Sequence, residues 1–149
     1  MSDQEMRAAV DGVPVPDLGE AAFTVPPALA DATVAIITTA ALHLADSDGF
    51  SAGDQSFRML AHDRGDLVLG HISPNFDRSG FASDLNVVYP RDRLDELVAR
   101  GAIGSVGPHH LSFLGAQDDT METIRLDSGP AAARQLRDDG VDVVLLTPV

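Results

Sequence analysis

The chain has 149 residues, enough for one domain with a core of its own, and its 44% hydrophobic and 22% charged content is that of an ordinary folded protein rather than a disordered, collagen-like or coiled-coil one. Acidic residues outnumber basic ones 23 to 10, and the net charge of −13 repels phosphate backbones and anionic membranes, so neither nucleic acid nor membrane is expected as a partner. Lysine and cysteine are both absent, which removes lysine Schiff bases, a P-loop lysine, disulfides, thiolate nucleophiles and cysteine-based metal sites from these residues.

The N-terminus is acidic and polar, without a basic segment leading into an apolar one, and no run of ~18 apolar residues occurs, so a cytoplasmic location is expected. Residues 1–31 carry Pro14, Pro16, Pro26 and Pro27, each biasing its predecessor to extended backbone. This predicts an irregular N-terminal arm ahead of an α/β domain over 32–149.

Residues 32–39, ATVAIITT, are β-branched without clean alternation, as in a strand buried on both faces. Residues 40–57 are rich in glycine and aspartate and predict a loop with at most a short helix. Short strands are predicted at 58–61 and 66–72, and another polar loop at 73–84.

Residues 90–100 predict a helix: Leu94, Leu97 and Val98 share a face, Pro90 opens it and Gly101 stops it. An apolar segment with Gly104 and Gly107 spans 103–114. A second helix over about 128–139 ends at Gly140 and is followed by a buried strand at 141–147. The alternation predicts a mostly parallel sheet with helices on its faces, Rossmann-like or flavodoxin-like, whose ligand crevice gathers the loops after Thr39, Ile72 and Thr147.

Within that frame Thr38, Thr39 and His43 offer two hydroxyls and an imidazole after the first strand, or serve only to end it and pack. Asp84 and Asn86 can hydrogen-bond an amine or carboxylate, or satisfy backbone groups at a strand end. The five histidines show no i, i+4 pair with a completing carboxylate, so no metal is expected. The glycines of 101–107 follow a helix, the wrong context for a dinucleotide fingerprint.

Four blocks occur in order: T-T-A-A-L-H-L at 38–44, D-L-N-V-V-Y-P-R-D-R-L-D-E-L at 84–97, G-A-I-G-S-V-G-P-H-H-L-S-F-L-G at 101–115 and D-G-V-D-V-V-L-L-T-P-V at 139–149. Together they resemble the selenoprotein B family of glycine, betaine, sarcosine and D-proline reductases, closest to the D-proline reductase branch. In proteins that look like this, T-P-V leads into a selenocysteine or cysteine at a helix start, where the dipole and unpaired N–H groups favour the anion. That residue is expected at position 150, so the catalytic residue is expected beyond Val149, through a UGA codon read as stop or truncation of a cysteine-containing homologue.

The resemblance implies reductive cleavage of a C–N bond in an amino acid or amine. It implies a partner subunit carrying a pyruvoyl group, a dithiol or thioredoxin-type reductant, and a homo- or hetero-oligomer. Thr38, Thr39, His43, Asp84, Asn86, His110 and Ser112 are then the candidates for lining the substrate pocket, with His110 or His43 as proton donor. The sequence departs from the family pattern at Ala40 and Ala41, where glycines are expected. Two other readings stand beside it: a non-catalytic α/β module that binds a small molecule, and a histidine-based metal enzyme.

Overall fold

The computed structural model describes residues 2–12, 24–72, 78–118 and 120–149. Parts of the predicted arm (13–23) and of the 73–84 loop (73–77) lie outside the described residues.

A helix, α1 (Asp3–Asp11), opens the chain, where the sequence predicted only irregular structure. Its N-terminus carries a capping box: Ser2 N–H donates to Glu5 Oε2 at 2.7 Å and Glu5 N–H to Ser2 Oγ at 3.3 Å. The prolines all come after it, and so do not oppose it.

The main sheet is built on β1 (Thr33–Thr38), which is parallel to β7 (Val143–Thr147) along one edge. Its other edge pairs first with β5 (Ser105–Val106) and then with β6 (His109–Ser112), both parallel. Strand β3 (Arg58–Ala61), predicted at these residues, completes the sheet antiparallel to β6. The α/β class is therefore as expected, but the sheet is mixed rather than mostly parallel. Two local facts cause the difference. Gly107-Pro108 splits the apolar 103–114 segment into two strands, and β3 enters from the opposite direction.

A separate two-stranded antiparallel sheet pairs β2 (Leu42–Leu44) with β4 (Leu67–Leu69), so part of the predicted 40–57 loop is a strand, and the predicted 66–72 strand is shorter. Leu42 faces Leu69 and Leu44 faces Leu67 across it, which gives three residues enough apolar pairing to hold.

Helix α2 (Ser79–Ser83) and a 3₁₀ turn at Leu85–Val87 lead into α3 (Arg91–Ala99), which ends at the predicted glycine, Gly101. Helix α4 (Gly129–Asp138) grows from a π-helical turn at Ile124–Ser128 and ends at Gly140. Helices α3 and α4 cover opposite faces of β1. Val34 and Ile36 pack with Leu94 of α3, Tyr89 and Leu60, whereas Ala35 packs with Ala132 and Leu136 of α4, and with Phe113. Burial on both faces explains why β1 lacks alternation. Among the described residues no helix is long and apolar enough to cross a membrane.

Candidate functional site

From β1 the chain passes by way of α3 to one neighbour of that strand, and from β6 it returns by way of α4 to the other neighbour, β7. Where successive connections diverge on opposite faces, the strand C-termini on either side bound a crevice in which ligands of α/β folds sit. Here those ends are Thr38-Thr39 and Thr147-Pro148-Val149, called the β1–β7 tip below.

Hydroxyls hold the tip together. Thr39 Oγ1 accepts the Val149 N–H at 2.8 Å, and the Thr39 N–H donates to Thr147 O at 3.3 Å. Thr38 Oγ1 and Thr147 Oγ1 both donate to Val88 O, at 2.8 and 2.9 Å, tying the two strand ends to the segment before α3.

Gly115 closes the tip from the third side. A Cβ there would stand 3.0 Å from Thr39 O, 3.0 Å from Val149 O and 3.2 Å from His71 Nε2, so three polar atoms converge where a side chain would be crowded. His71 is only 6% exposed. Burial, and then the charge of Arg78, hold its pKa below the ordinary imidazole value, so the ring is neutral at pH 7. Sequence reasoning missed His71, because its nearness to Thr39 and Val149 depends on a glycine far along the chain.

An apolar groove of about 930 Å³ opens beside the tip, between β7 and α4. Thr39 and Gly115 stand among its lining, with Ile37, Phe113 and Leu146 from the strand side and Leu136 from α4. Its volume falls in the range of small-molecule sites.

The sequence-derived candidates divide into four groups. Thr39 alone lines the groove. Thr38, His110 and Ser112 are fully buried, Thr38 and Ser112 as register partners in β1 and β6. His110 and Ser112 share one face of β6 by the two-residue strand period, and His110 meets Tyr89 edge-on at 5.3 Å. Ser112 Oγ and Tyr89 Oη have no hydrogen-bond partner among the described residues.

His43 sits on β2 of the two-stranded sheet, its Nδ1–H donating to Leu44 O at 2.9 Å and its ring packed beneath Gly49 and Gly70. Asp84 and Asn86 are brought together, but as a cap. Asp84 Oδ1 accepts from the Asn86 backbone and side chain, both at 2.9 Å, and Asn86 Oδ1 accepts the Asp92 N–H at 3.1 Å in the first turn of α3. Those bonds from Asn86 hold the Asp84 carboxyl below its usual range.

Ala41 takes a φ of +54°, the left-handed region that glycine enters freely and that costs other residues roughly 1–2 kcal/mol. Among the described residues no three His, Asp or Glu side chains converge on a metal-sized site. His109 is bound to Asp139 at 3.0 Å and His62 to Asp95 at 3.0 Å.

Over 122 residues, 80% of its length, the chain is 35% identical to D-proline reductase subunit gamma of Acetoanaerobium sticklandii. The aligned region covers 49% of that protein, so the chain spans about half the length of the curated relative it matches. No family model and no solved structure matches the chain.

Proposed function

With the chain a homologue of D-proline reductase subunit gamma, we propose that it serves in a multi-subunit reductase that cleaves the C–N bond of D-proline or a related amine. The observation that carries this reading is the 35% identity over four-fifths of the chain. The β1–β7 tip, beside a groove of small-molecule size, supports it.

In this reading the substrate's apolar ring enters the groove between β7 and α4, and its reacting carbon lies near the tip. The nucleophile is the selenocysteine or cysteine expected to follow Val149. Thr39 suits that role for the neighbouring backbone: by holding the Val149 N–H it directs the next residue to the groove mouth. Gly115 leaves the approach free of a side chain. A pyruvoyl group on the partner subunit supplies a carbonyl to engage the substrate nitrogen, chemistry that a chain without lysine does not itself bring. A dithiol restores the reduced nucleophile.

The groove also favours a second reading, a module that holds an amino acid without transforming it. One experiment separates the two. The gene's natural product, read through any UGA, is assembled with its pyruvoyl-bearing partner and given D-proline and a dithiol. Ring opening to 5-aminopentanoate is expected; no product from an assembled complex that binds D-proline leaves the binding module. Residues 1–149 alone contain no cysteine, and turnover by them alone would overturn the role given to the residue after Val149.

A further inference from the structure

Strand β7 has the composition of an interior strand but stands at an edge. Val143, Val144, Leu145 and Leu146 follow one another without a polar residue, the pattern of a parallel strand buried on both faces. One side pairs with β1, and among the described residues no strand pairs with the other. Both faces are open as well. Val144 and Leu146 lie beside Ala35 and Ile37 on the face that carries α4, with Leu146 66% exposed, and Leu145, beside Ile36 on the opposite face, is exposed too.

The groove beside α4 is the counterpart of that open strand. Adjacent strands lie ~4.8 Å apart and packed helices ~8–10 Å apart, so one helix covers about two strands. Helix α4 packs on β1 and β6, through Ala35 and Leu111, and leaves β7 uncovered. The result is the groove of about 930 Å³, with Val144 and Leu146 on one side and Ala133 and Leu136 of α4 on the other. That volume suits a drug-sized ligand, several times larger than one proline. Its charged lining, Arg137 and Asp142, lies at the start of β7, remote from Thr39.

Chain direction indicates what fills the rest. From β6 the chain runs through α4, past β1, to β7. A chain leaving β7 for a parallel strand on its free side travels the same way across the sheet. Crossovers between parallel strands are right-handed in nearly all cases, so its helix falls on the face of α4, over β7 and along the groove. The aligned region covers 49% of the relative, which therefore has about as much chain again.

We propose that the groove is the seat of an amphipathic helix formed by residues that follow Val149 in the gene's natural product, and that the next strand of that product pairs in parallel with the free side of β7. The proposal shares with the reductase reading the continuation past Val149 and goes beyond it in placing the continuing chain. The substrate then keeps only the end of the groove at Thr39 and Gly115, beside the start of that helix. A second copy is the poorer occupant, because it brings a further charge of −13 and supplies no crossover helix.

The test compares residues 1–149 with the natural product, read through any UGA. Exchange of the β7 amides that do not bond to β1 is expected to slow about tenfold or more in the natural product. Ala133 is exposed on α4 and lines the groove. Ala133→Glu is therefore expected to leave the unfolding midpoint of residues 1–149 unchanged and to lower that of the natural product by several degrees, since only there is the charge buried. Leu126→Glu, at an exposed position outside the groove, is the control and is expected to leave both midpoints unchanged. Amides that exchange alike in the two proteins, an Ala133→Glu effect equal in both, or a natural product that ends at Val149 would each overturn the seat. Slowed exchange that is lost on dilution, with a dimer in sedimentation, would give the groove to a second copy instead. D-proline reduction by an assembled product whose β7 edge exchanges freely would discard the seat and keep the reductase, whereas a filled groove without reduction would do the reverse.

Discussion

His110 Nδ1 accepts the backbone N–H of Ile36 at 2.9 Å, in the gap where the ladder of β1 passes from β5 to β6. An imidazole thus stands in for a missing strand carbonyl. Because that N–H can only donate, Nδ1 is unprotonated and Nε2 carries the hydrogen, which points at His62 Nδ1 at 3.0 Å; His62 Nε2 then donates to Asp95 at 3.0 Å. One backbone amide sets the tautomers of two rings, His110 accepting through Nδ1 and donating through Nε2.

The first prediction follows from that bond. In His110→Asn the side-chain oxygen falls near the Nδ1 position and keeps an acceptor for Ile36, whereas in His110→Gln the amide lies one bond farther out. Leaving a buried N–H unpaired costs ~1–3 kcal/mol. The glutamine variant should therefore be less stable than the asparagine variant by about that amount in urea unfolding. Equal stabilities would mean that the Ile36 bond contributes nothing.

Stability should also fall in mild acid. Burial, followed by the charges of His62, Arg91 and His109, pushes the pKa of His110 down from 6.5 to about 3. Between those values the unfolded chain binds a proton that the folded chain refuses, so folding weakens as pH drops below about 6.5. One such group changes stability by ~1.4 kcal/mol per pH unit, or ~2 kcal/mol between pH 6.5 and 5. His71 shifts in the same direction. Asp54 and Asp118, whose pKa values are lowered, contribute stability that is lost only as pH falls below the ordinary carboxylate value of 3.8. Urea midpoints from pH 7 to 4.5 should thus decline in the wild type and flatten in His110→Asn; parallel curves would refute the assignment to His110.

What the sequence made legible was what local pattern controls. Helix α3 could be read because Pro90, the Leu94 face and Gly101 lie within one short stretch, and β1 because burial on both faces leaves its composition apolar throughout. The β2–β4 pairing was hidden, since three residues give too short a period to detect and the two segments lie more than twenty residues apart. The site was legible in place rather than in membership. Parallel topology pointed to the ends of β1 and β7, and Thr39 is there, but Asp84 and Asn86 turned inward on each other as a cap. Nothing near His71 in sequence announces that its ring meets Gly115.

Gly115 gives the sharpest test of the tip itself. Replacing it with alanine places a methyl 3.0 Å from two carbonyl oxygens and 3.2 Å from His71 Nε2, and one of those oxygens, Thr39 O, belongs to a residue whose N–H is bound to Thr147 O at the end of the β1–β7 ladder. The ring can turn aside, but Thr39 O moves only with the strand end that the Thr39–Thr147 bond holds, so the strain should reach ~1–3 kcal/mol. Gly65→Ala is the matching control, because a Cβ there meets nothing within 4 Å. Thermal unfolding should show a lowered midpoint for Gly115→Ala and little change for Gly65→Ala. A spectrum of ¹⁵N-labelled histidine should show the His71 ring displaced and D-proline binding weakened in the first variant alone. Should Gly115→Ala fold and bind like the wild type, the carbonyls and the imidazole do not converge there, and the groove would have to receive its ligand away from the strand ends.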